Sequence, residues 1–168
     1  MAISFFSRKP KETPPDPFAE VPQPPQVAYD PGLVAALTQQ HRDLVLLLDK
    51  AKNSVQAQRF DDVKALLDQM RVEIAEHMRR ETDELHAYLT AHLKSEGRLA
   101  VLKDMGAGAL RTGRALEGFL KHYGGYPVTE RNAAMFYKEI DRVSAEFSKW
   151  VEQEEAGVYS LYRLPETY

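Results

Sequence analysis

A chain of 168 residues has room for a single domain with a sizeable apolar core and a tail. Charged residues make up 28% and the formal net charge is only -3, which argues against nucleic acid as a partner. Cysteine is absent, which excludes disulfides, thiolate metal sites and cysteine nucleophiles, and the expected location is the reducing cytoplasm.

The N-terminal MAISFFSRKPKE puts its few apolar residues ahead of the basic cluster, the reverse of a secretory leader. No apolar run approaches the roughly 20 residues that span a bilayer, so no transmembrane segment is expected. Eight of the ten prolines fall within the first 31 residues. Residues 1–29 therefore read as an extended or disordered Pro-rich arm, unable to donate a regular hydrogen-bond ladder. Within it, Phe5 and Phe6 beside Arg8, Lys9 and Lys11 offer contact to a protein partner or a membrane surface.

Asp30-Pro31 marks a helix start, with Asp as N-cap and Pro at the first helical position. Val34, Leu37, His41, Leu44 and Leu48 then trace one face to about Val55. QAQRFDD turns the chain, and Asp61 or Asp62 caps a second helix to about His92. Its stripe is Val63, Leu66, Met70, Ile74, His77, Glu81, Leu85 and Tyr88. Ser95 and Glu96 open a third helix carrying Leu99, Leu102, Met105, Ala109, Leu116 and Leu120, which Gly124-Gly125 and Pro127 stop. A fourth runs from about Thr129 to Ser160 with Phe136, Ile140, Val143, Phe147, Trp150, Glu154 and Val158 inward. The expected fold is all-α: an antiparallel up-down-up-down four-helix bundle over residues 30–162, an extended N-terminal arm, and a short tail over 163–168.

Polar residues interrupt these stripes at one level. His77 and Glu81, four apart, lie on the same apolar face of their helix. His41 and His77 are equidistant from the QAQRFDD turn and should face each other. Glu154 follows Trp150 by one turn on the fourth helix, with Glu155 the other acid there. On the third helix GRLAVLKDM offers no histidine, and Asp104 is its one carboxylate near the level. Buried without partners, such groups cost several kcal/mol each, roughly. His41, His77, Glu81 and Glu154 thus form either a metal site suited to Fe(II), Mn(II) or Zn(II), with iron favoured, or an internal His–Glu hydrogen-bond network. His86 and His92 read as solvated, and His122 as a polar group at a helix C-terminus.

LTQQHRDL, HMRRE and WVEQEEAGVYSLY resemble the hemerythrin-like, or HHE cation-binding, family over residues 31 to about 162. The resemblance implies a bundle holding non-haem iron that binds dioxygen or senses oxygen, iron or redox state. Carried over, it implies His41, His77, Glu81 and Glu154 as metal ligands. Trp150 stands where the family has a fourth-helix histidine, and the third helix lacks the family's histidines. The expectation is a binding or sensory protein, not an enzyme, with a reduced, mononuclear iron site. Two other readings compete: a metal-free interaction module using the N-terminal arm, and a histidine phosphotransfer domain, to whose motif HLKSEG at residues 92 to 97 is faintly similar. Neither a ferritin-like pair of Glu-x-x-His motifs nor a hydrolytic triad is discernible.

Overall fold

The computed structural model describes residues 27–164. Four helices run up and down in sequence: α1 (Leu33–Gln56), α2 (Phe60–Arg80, then Glu81–His86 and Ala87–His92), α3 (Glu96–Gly125) and α4 (Ala133–Glu154, then Glu155–Tyr159). Helix α1 packs on α2 and α4, and α3 packs on the same two, closing the bundle. The Pro-rich arm, apart from residues 27–29, lies outside the described residues, as do residues 165–168 of the tail.

The helix ends depart from expectation by a few residues. Helix α1 begins at Leu33 with Gly32 as N-cap, because Asp30 closes a turn ahead of it. There the Asp30 Oδ1 accepts from the Gly32 N–H at 2.8 Å. Asp61 and Asp62 lie in the first turn of α2, favourably placed against its dipole, and Arg59 takes the N-cap position. Helix α4 starts at Ala133, not Thr129, because Asn132 Oδ1 accepts from the Thr129 N–H at 2.7 Å and folds those residues into a turn. Gln58, with φ of 56°, reverses the chain between α1 and α2.

Two segments are wider than an α-helix. Glu81–His86 in α2 and Glu155–Tyr159 in α4 are π-helical, each hosting an extra residue without breaking the helix. Past each bulge, positions five apart share a face.

The interior divides into two apolar clusters. The larger holds Leu44, Leu48, Met70, Leu116, Phe136, Ile140 and Phe147 towards the α1–α2 turn. The smaller holds Leu33, Leu37, Leu85, Tyr88, Leu102, Val158 and Tyr162 at the opposite end. Val27 and Tyr29 pack on that second cluster, and Tyr29 stacks on Tyr162 at 5.0 Å, so the bundle takes in residues the sequence assigns to the arm. Leu99, expected inside, is exposed on α3. Between the clusters lies a polar layer.

Candidate metal centre

His41, His77, Glu81 and Glu154 meet in that layer. All four are buried, at 1%, 0%, 3% and 0% exposure, whereas such groups are ordinarily left outside unless paired. One donor atom from each lies within 4.8 Å of the others. The two imidazoles face each other across the α1–α2 hairpin at 4.6 Å between ring centres, as their equal distance from the turn requires. Glu81 Oε1 stands 3.4 Å from His77 Nε2, and Glu154 Oε2 stands 3.5 Å from His41 Nε2.

Outer residues fix which nitrogen faces inward. His41 Nδ1 lies 2.9 Å from Glu155 Oε1, and His77 Nδ1 lies 3.2 Å from Gln40 Oε1. Both partners are acceptors, so each Nδ1 carries the proton and each Nε2 turns a lone pair to the centre. Glu154 thus faces the site while its neighbour Glu155 orients an imidazole from outside. Tyr159 completes the set: its hydroxyl donates to Glu81 Oε1 at 2.7 Å, and its ring stacks on His41 at 5.5 Å and 2° between planes.

Sequence periodicity does not reveal Tyr159 or Gln40. Tyr159 lies five residues after Glu154, which points it off the stripe in an α-helix and onto it only through the π turn. Gln40 adjoins a buried histidine, and nothing in its spacing marks it. Asp104 is exposed and outside the cluster, since α3 meets this level with Met105 and Gly108. His86 and His92 are half-buried instead of solvated. The first lies against Gly106, and the second stacks on Tyr88 at 4.2 Å. His122 is exposed near the end of α3, as expected.

The layer is rich in acceptors and short of donors. His77 Nε2 and both Glu154 oxygens are buried with no hydrogen-bond partner among the described residues. Burial, and then the Glu81 carboxylate, push the Glu154 pKa up to about 10. Glu81 goes the other way: despite its burial, His77, the Tyr159 hydroxyl and His41 hold its pKa below the ordinary value. Burial and the neighbouring carboxylates raise the Tyr159 pKa, which keeps its hydroxyl protonated and donating. A divalent cation answers all the orphaned acceptors at once, and two imidazoles with two carboxylates are a donor set such an ion accepts.

A family model described as the hemerythrin HHE cation binding domain matches residues 32–162. The chain belongs to the hemerythrin family. No curated protein and no solved structure matches it. The match spans all four helices and the whole buried layer, so a cation-binding function rests on the family and on the geometry together. The hemerythrin bundle here draws its inward-facing donors from α1, α2 and α4, and none from α3. Where α3 and α4 meet, Trp150 is 5% exposed and sets its indole edge-on to His41 at 5.5 Å.

Proposed function

We propose that this chain is a hemerythrin-like binding or sensory protein that holds one non-haem iron ion through His41, His77, Glu81 and Glu154. The observation that supports this most is the convergence of four buried donor atoms within 4.8 Å, two of which, those of His77 and Glu154, have no hydrogen-bond partner among the described residues. Donor atoms on opposite sides of a single ion stand roughly 4.2 Å apart, twice a metal–ligand bond, so one ion needs only a slight closing of the cluster. A second ion would have to sit roughly 3.5–4 Å from the first with donors of its own. Trp150 fills the α4 side of that space, and α3 brings Gly108 against it.

Iron bound to two imidazoles and two carboxylates keeps open positions at which a small ligand such as dioxygen can be sensed. Gln40 and Glu155 hold the imidazoles in the ligating tautomer, and Tyr159 holds Glu81 in place. The apolar clusters above and below keep bulk water from the layer. These roles describe binding and not turnover.

Elemental analysis after anaerobic reconstitution with Fe(II) tests the reading. One iron per chain, lost in His77→Ala, is expected. Two irons per chain would overturn the mononuclear assignment, and no bound transition metal would leave a metal-free interaction module on the same bundle.

A further inference from the structure

Beside the buried layer, a notch of about 280 Å³ opens between α3 and α4. Gly108, Arg111 and Thr112 line it from one helix, Lys149 and Trp150 from the other. Its wall contains an empty Cβ position: a methyl built on Gly108 would stand 3.9 Å from both Arg111 Nη2 and Trp150 Cδ1. A guanidinium and the pyrrole edge of an indole therefore converge on the same small space. Trp150 Nε1, bonded to that Cδ1, is buried and has no hydrogen-bond partner among the described residues. An orphaned donor of this kind costs about 1–3 kcal/mol. Neither Arg111 nor Lys149 forms an ion pair among the described residues, and the one acid lining the notch, Glu146, is taken by Arg142 at 2.9 Å.

We propose that this notch binds a small oxyanion, a phosphate or carboxylate group, between the Arg111 guanidinium, the Lys149 ammonium and the indole N–H of Trp150. A guanidinium takes two oxygens of such a group side by side, the ammonium adds charge, and the indole N–H supplies the directional third contact. The same volume suits a solute of a few heavy atoms and is too small for a drug-sized ligand. Because the indole also meets His41 edge-on, occupation of the notch is felt at the metal layer. The site itself needs no metal, so it stands apart from the iron assignment.

Trp150 is the only tryptophan in the chain, so indole fluorescence reports on this one side chain, and the chelated sample separates a change at the notch from one at the metal layer. The full-length chain, as purified and after chelation, is titrated with inorganic phosphate and with acetate, against chloride at matched ionic strength. A saturable change with phosphate, acetate or both, and none with chloride, is expected; which of the two responds identifies the group. Arg111→Met should weaken binding at least about tenfold, the equivalent of one charge-assisted hydrogen bond. Gly108→Ala fills the cradle with a methyl at ordinary contact distance in a helix that favours alanine, and should weaken binding without unfolding the protein. A response that is absent, that follows ionic strength alone, or that survives either substitution unchanged overturns the proposal.

Discussion

Replacing Tyr159 by phenylalanine removes a single oxygen, and with it the hydrogen bond to Glu81 and the longer contact to His41 Nε2 at 3.4 Å. The ring stack on His41 would persist, while Glu81 Oε1 would lose the donor it has at 2.7 Å. A buried acceptor deprived of its partner costs about 1–3 kcal/mol, so urea denaturation of metal-free Tyr159→Phe should show a loss in that range. Glu154→Gln separates folding from metal binding. With its pKa at about 10, Glu154 is neutral at pH 7 in the metal-free chain, and an amide is close to it in shape and charge. The melting temperature of the metal-free variant should stay near that of the parent, while iron content falls well below one ion per chain; a melt lowered by many degrees would contradict this account. At this scale the sequence exposes His41, His77, Glu81 and Glu154, because a polar residue on an apolar stripe is conspicuous. It hides Gln40 and leaves open which of Glu154 and Glu155 turns inward, because such contacts depend on side-chain direction across helices and not on any repeat along them.

At the scale of elements, the two π turns govern which residues reach the layer. A π turn equals an α-helix with one residue inserted, so removing one residue from it restores α geometry and leaves everything beyond in register. Deleting Ala156, exposed within Glu155–Tyr159, should therefore leave Tyr159 four residues after Glu154 and still on its face. Deleting Ala145, equally exposed but in the α-helical part of α4, should rotate all later residues by about 100°. Thermal unfolding monitored by circular dichroism distinguishes them: a cooperative melt for the first, and loss of cooperativity for the second. If both deletions proved equally damaging, the wide turn would have no special tolerance. The four helices themselves are legible from periodicity, since each keeps its apolar step over most of its length. What periodicity misses is the extra residue in each bulge, since TDELH and EAGVY contain nothing that forbids an ordinary helix.

For the molecule as a whole, the polar layer separates two apolar clusters that alone would pack as one core. A bound ion stabilises the folded chain through mass action, by about 4 kcal/mol at a thousand times its dissociation constant. Melting temperatures before and after chelation should differ accordingly, and the difference should vanish in His77→Ala. The end of the bundle away from the α1–α2 turn is closed by residues ahead of the first helix. Tyr29 stacks on Tyr162, whose hydroxyl accepts from the Asp30 N–H at 2.8 Å. A chain started at Gly32 should consequently be less stable than one started at Val27 by about 1–3 kcal/mol, measured by denaturant titration. The sequence places the domain boundary just past Tyr29 because proline density ends there, but composition cannot tell that an aromatic ring beside the prolines has a place in the core.

Three of the four inward donors, His41, His77 and Glu81, belong to the single hairpin of α1 and α2, and only Glu154 arrives from the C-terminal half. An ion held there would tie the N-terminal hairpin to the C-terminal half of the bundle through one carboxylate alone, so Glu154 is the contact by which the two halves would share it.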